Sequence, residues 1–126
     1  MTITVVEDDP VTRNVLVREL RKMGYDVKAY HCAEELLKHF DKNHCDVVLT
    51  DLSLPGCSGE ELLYKVEKAS GGETKVLMMT AMDMKALYAR GFEDVIRKAT
   101  AVIKKGDSLS EFLSEVLSAV ATIGLS

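Results

Sequence analysis

Cysteine is scarce in this chain: Cys32, Cys45 and Cys57 are all there is. The number is odd and no two form a C-x-x-C pair, so neither a disulfide framework nor a zinc ribbon is suggested. A reducing, cytoplasmic setting is the simplest reading. The three histidines, His31, His39 and His44, lack the i, i+4 spacing of helical metal ligands. His31-Cys32 and His44-Cys45 are read as ordinary surface or boundary residues. No apolar run reaches the ~18 residues that a membrane helix needs. The N-terminus shows no charged segment followed by a long apolar one, so no signal peptide is read there. Basic residues form no cluster: 16 Lys and Arg stand against 20 Asp and Glu, for a net charge of −4, spread along the chain. That excludes a global basic footprint for nucleic acid. Repeats, low-complexity tracts and linkers are also missing. What remains is a chain of 126 residues with 47% hydrophobic composition. That fits one domain over residues 1–126, which on folding buries roughly two-thirds of its unfolded surface.

Strand and helix signals alternate from end to end. Residues 2–6 form a buried strand pattern. Asp9-Pro10 then opens a helix, an N-cap residue followed by proline at the first position. That helix reaches about Met23, with Val11, Val15, Leu16, Leu20 and Met23 on its inner side, and Gly24 stops it. Asp26 to Tyr30 alternates like an edge strand. Ala33 to Phe40 is a short helix. Val47 to Thr50 is a β-branched central strand. Ser58 starts a helix burying Leu62, Leu63 and Val66, which Ser70-Gly71-Gly72 ends. Lys75 to Met79 is the fourth strand. Met84, Leu87, Tyr88, Phe92, Val95, Ile96 and Ala99 make a single helical stripe, with Met78, Met79, Met82 and Met84 as core and boundary fillers. Ala101 to Ile103 is a short fifth strand. Asp107 or Ser108 caps a last helix with Leu109, Phe112, Leu113, Val116, Leu117, Val120 and Ile123 inward. Five strands alternating with five helices predict an α/β fold, a doubly wound five-stranded parallel sheet with helices on both faces. Right-handed crossovers restrict the strand order to a few choices; among them the flavodoxin-like order 2-1-3-4-5 sets strands 1 and 3 side by side and places a ligand beyond their carboxyl ends.

Both of those strands end in acid. Ile3-Thr4-Val5-Val6 runs into Glu7-Asp8-Asp9, and Val47-Val48-Leu49-Thr50 runs into Asp51. Side by side they bring at least three carboxylates into one crevice, where like charges drive protons onto one another. A hard divalent cation such as Mg²⁺ relieves that conflict, since it prefers carboxylate and water oxygens. The sequence thus predicts an acidic metal pocket around one exposed aspartate, Asp51.

Four motifs, in order and each at a strand end, carry a resemblance. They are Glu7-Asp8, Asp51 with Leu52-Ser53-Leu54-Pro55-Gly56-Cys57-Ser58-Gly59, Thr80 in Met78-Met79-Thr80-Ala81, and Lys105 in Val102-Ile103-Lys104-Lys105-Gly106. Over essentially its whole length the chain resembles a response-regulator receiver domain of two-component signalling. The resemblance implies a phosphorelay switch in which Asp51 accepts a phosphoryl group from a histidine kinase or histidine phosphotransfer protein. Aspartate is a competent nucleophile toward phosphorus, and the transfer needs positioning and charge neutralisation above all. By the same resemblance Asp8 ligates Mg²⁺ directly, Glu7 through water, Asp51 through one oxygen, and Ser53 through its backbone carbonyl. Lys105 neutralises the transferred group and Thr80 donates to it. The implied protein is a switch that catalyses only its own phosphorylation and slow hydrolysis. It signals to an output domain or downstream protein and can homodimerise through the fourth helix, fifth strand and last helix, touching neither nucleic acid nor membrane.

Each residue alone has a blander meaning. The acids after strand one suit a helix N-terminus, Asp51 could cap a loop, Thr80 is a good strand residue, and Lys105 could be solvated. A single pocket accounts for all of them together. The chain departs from the family's pattern in two places: Gly106 follows Lys105 where proline is usual, and Val102 stands where a ring often reports the switch. Strand alternation sends Lys104 to the face opposite Lys105. Three rivals remain: a degenerate receiver that binds partners without phosphorylation, a flavodoxin-like cofactor binder, which Glu7-Asp8-Asp9 would repel, and an aspartyl phosphatase, whose second aspartate is Ser53 here.

Overall fold

The computed structural model describes residues 1–40 and 45–125; His44 lies outside them. Five strands, β1 (Thr2–Val6), β2 (Asp26–Tyr30), β3 (Val47–Asp51), β4 (Lys75–Thr80) and β5 (Ala101–Lys104), alternate with six helices. These are α1 (Pro10–Lys22), α2 (Ala33–His39), α3 (Gly59–Ser70), α4 (Met84–Ala89), α5 (Glu93–Lys98) and α6 (Leu109–Gly124). All pairings are parallel and the order is β2-β1-β3-β4-β5, the flavodoxin-like order.

Period-two strands divide their side chains between two layers. Ile3, Val5, Val47, Leu49, Leu77, Met79 and Ile103 face one way, against Leu16 and Leu20 of α1 and Phe112, Val116 and Val120 of α6. Val6, Val48, Val76 and Met78 face the other, against Leu36 of α2, Leu62, Leu63 and Val66 of α3, Leu87 of α4 and Val95 of α5. β3 is buried along its entire length, as a strand covered on both faces must be. The helices begin where local chemistry directs: Asp9, Ser58, Asp83 and Ser108 each accept a backbone N–H of the first turn.

Several sequence expectations need correction. The stripe from Met84 to Ala99 is two six-residue helices, because Gly91 takes φ +81° and breaks the register between them. Met84 and Tyr88, expected inward, are 47% and 53% exposed. Val11, Met23 and Leu109 are likewise exposed. Each sits at or near a helix end, where the backbone has turned away from the sheet before the apolar spacing stops.

Candidate functional site

The sheet register builds the site. Val6 of β1 lies opposite Thr50 of β3, so Glu7 and Asp51, the next residues, emerge together at the carboxyl edge. The Glu7 N–H also bonds Tyr30 C=O at 3.1 Å, keeping it in line with β2. On the other side Leu52 N–H bonds Met79 C=O at 2.8 Å, and Lys105 N–H bonds Thr80 C=O at 2.7 Å. These bonds carry strand pairing one residue past β3 and β5, delivering Lys105 to the same edge.

There the Lys105 ammonium bridges two carboxylates. Its Nζ donates to Asp51 Oδ2 at 2.7 Å and to Glu7 Oε1. Glu7 is fully buried, and burial, opposed by Lys105, lifts its pKa from 4.5 to about 7. Burial works against the Lys105 charge too, yet hydrogen bonds from its ammonium to Asp51 and Glu7 prevail and hold its pKa above the ordinary value. Asp51 is only 9% exposed, in contrast to the exposed aspartate expected. Lys105 covers one of its oxygens, Ser53 N–H caps the other, Oδ1, at 3.3 Å, and α3 packs on its backbone.

Oxygens of Glu7, Asp8 and Asp51 lie within 4.8 Å of one another. Asp8 is exposed and Glu7 and Asp51 are buried, so the cluster opens outward through Asp8. A set of carboxylate oxygens this compact, with room for water on the Asp8 side, fits a small hard cation such as Mg²⁺. Asp9 does not join it: its carboxylate caps α1, accepting Thr12 N–H at 3.0 Å and Thr12 Oγ1–H at 2.6 Å. Ser53 is exposed in the loop after Asp51. Thr80 is buried at the end of β4, and its hydroxyl oxygen accepts Met82 N–H at 3.1 Å. Among the described residues no hydrogen bond joins that hydroxyl to the carboxylates. Lys104, one residue before Lys105, is exposed, and among the described residues no ion pair or hydrogen bond joins it to the acidic cluster.

Three supporting residues escape a reading of the sequence. Arg13 Nη1 donates to Glu7 C=O at 2.8 Å, anchoring the turn that aims the acidic pair; its only sequence signal is its place one turn into the helix that follows the acids. Gly59 opens α3 so close to β3 that a Cβ would collide with the carbonyl oxygen of Asp51. Its position directly after the N-cap Ser58 hints at this, but the collision partner is visible only in three dimensions. Glu34, on α2, accepts Cys57 N–H at 3.3 Å and has no sequence signal at all.

Comparison with known proteins agrees with this architecture. The response regulator receiver domain model matches residues 3–114. The chain is 33% identical over 102 residues to the two-component response regulator PhoP of Pseudomonas aeruginosa, an alignment covering 78% of this chain and 45% of that protein. The chain thus spans less than half of that regulator, and 7% of the Escherichia coli sensor histidine kinase RcsC, with which it shares 34% identity over 68 residues, 54% of this chain. Among solved structures, the chemotaxis response regulator CheY4 of Vibrio cholerae superposes with a TM-score of 0.79 at 25% identity, over 94% of this chain and 97% of that one. The response regulator TrrA of Thermotoga maritima, solved in complex with Mg²⁺-BeF, gives 0.75 at 27% identity with the same coverage. With residues 3–114 matched, nearly the whole of its length, this chain belongs to the response regulator receiver domain family.

Proposed function

We propose that residues 1–126 act as a single receiver domain in which Asp51 accepts a phosphoryl group from a histidine kinase or histidine phosphotransfer protein. Receiver domains are signalling switches of two-component systems, not metabolic enzymes. The observation that carries the reading is the Lys105 ammonium held between Asp51 and Glu7 in a three-carboxylate cluster. A cation over a nearly buried aspartate is what a site needs if a dianionic group is to arrive there and be neutralised.

In this reading an Asp51 oxygen attacks phosphorus, an O–P bond forms, and the P–N bond to the donor imidazole breaks. Asp8, Asp51 and the Ser53 carbonyl would hold Mg²⁺, and Glu7 would join it through water. When bound, the ion supplies charge neutralisation on the phosphoryl oxygens. TrrA, a structural neighbour solved in complex with Mg²⁺-BeF, supports a Mg²⁺ site in this fold. Lys105 moves from the carboxylates to a phosphoryl oxygen. Thr80, whose hydroxyl proton is not needed by Met82 N–H, donates to another. Thr80 ends β4 and Lys105 directly follows β5, next to α4, α5 and α6, so their movement biases that face toward an output domain, a downstream protein or a second copy.

Treatment with acetyl phosphate and Mg²⁺ should add about 80 Da, one phosphoryl group, to the intact protein, and Asp51→Asn should abolish the gain. The same gain in the mutant would refute the assignment. No gain in the wild type, with partner binding unchanged, would favour a degenerate receiver that works without phosphate.

A further inference from the structure

The loop from Leu52 to Ser58 has well-held feet. Leu52 N–H bonds Met79 C=O, and Gly59 N–H bonds Leu52 C=O at 3.0 Å. Its crown is held from elsewhere. Glu34, in the first turn of α2, reaches across 23 residues of sequence to accept the backbone N–H of Cys57 at 3.3 Å. The same carboxylate lies over the α-carbon of Gly56, so close that any Cβ there would overlap Glu34 Oε2. Gly56 also has φ +74°, which favours glycine for its own sake. The turn therefore opens both the backbone angle and the space that let a carboxylate reach the following amide. A bond from an anionic acceptor is stronger than a neutral one. It ties α2 to the segment that carries Ser53 and Leu54.

We propose that Glu34 is a positioning residue of this receiver: through Cys57 N–H and the space left by Gly56, its carboxylate holds the Leu52–Ser58 loop in the shape that presents the Ser53 carbonyl beside Asp51. The inference rests on the reading of the acidic cluster as a Mg²⁺ site. Glu34 contributes no ligand atom. It fixes the loop that does, as outer partners of metal ligands commonly do.

The test compares wild type, Glu34→Ala and Glu34→Gln. Cys57 amide exchange is followed by NMR in metal-free protein, Mg²⁺ affinity by titration, and phosphorylation rate as a function of Mg²⁺. In Glu34→Ala the Cys57 amide should exchange faster and Mg²⁺ should bind about tenfold more weakly, in line with losses of outer-shell partners. The rate at saturating Mg²⁺ should return to the wild-type plateau. Glu34→Gln keeps an acceptor oxygen and should restore most of the affinity. Wild-type Mg²⁺ affinity in Glu34→Ala would overturn the proposal, as would a lowered plateau with unchanged Mg²⁺ dependence, the mark of general structural damage. If the wild type itself binds no Mg²⁺, the reading of the acidic cluster falls first and this inference with it.

Discussion

The acidic edge formed by β1, β3 and β5 and the strip formed by α4 and α5 are built in opposite ways. At the edge, Glu7, Asp51 and Lys105 each directly follow or end a paired strand, and their side chains meet in one ion cluster. Position there is over-determined, because moving one residue would break a ladder and a salt bridge together. In the strip, two six-residue helices each bury one residue, Leu87 and Val95. Helices that short have little stability of their own. The joint at Gly91 is held by backbone bonds such as Phe92 N–H to Leu87 C=O at 2.9 Å. Val102, standing where a ring is usual, packs half-buried in the same layer as Phe92 and Met82. The comparison teaches that the two regions are anchored differently: the acidic edge rests on paired strands, and the strip on elements with few buried side chains.

Breaking the edge should have the largest effect. Lys105→Met leaves Asp51 and Glu7 without their shared cation, and loss of one member of a buried ion cluster costs about 3 kcal/mol. Urea unfolding of the metal-free protein should show a larger loss at pH 8 than at pH 5. At pH 5 Glu7, with its pKa pushed up to about 7, holds a proton and only Asp51 is left unpaired. In the wild type Glu7 contributes in the matching sense. Its raised pKa favours the folded state fully below its unfolded value of 4.5, and that share is lost as pH rises through about 7. Equal losses at the two pH values would show that Glu7 does not carry the buried charge.

The same substitution made in both regions sharpens the contrast. Gly59→Ala drives a methyl group into the backbone of Asp51 and should cost about 2 kcal/mol as overpacking, with slower phosphorylation because Asp51 must shift. Gly91→Ala meets nothing within 4 Å. Its penalty is the left-handed backbone alone, about 1 kcal/mol, with the phosphorylation rate kept. Equal effects of the two on phosphorylation would erase the distinction between edge and strip. Smallest of all, Met84→Ala and Tyr88→Ala remove side chains that are about half exposed and should stay within about 0.5 kcal/mol of wild-type stability. A larger loss in the monomer would mean that the strip is anchored more firmly than its burial indicates.

Much of this molecule follows from local pattern. The alternation of strand and helix, the caps at Asp9 and Ser58, the strand-end placement of Glu7, Asp8, Asp51, Thr80 and Lys105, and the parallel pairing all rest on period, turn chemistry and connection rules, which are written in neighbouring residues; those rules narrow the strand order only to a few choices. Other features depend on what meets across the fold. Periodicity carried the helical stripe straight through Gly91, since apolar spacing continues there while the backbone does not. It marked Val11, Tyr88 and Leu109 as inward, because spacing gives a face but not what lies opposite it. Its place at a strand end offered Asp51 as an exposed carboxylate among like charges. Only the tertiary structure decided that Lys105, 54 residues away, closes over it, that Gly59 presses on its backbone, and that Glu34 reaches the loop beyond. Those contacts join residues distant in sequence, and their energy comes from desolvation and shape at one place in space, which no local pattern encodes.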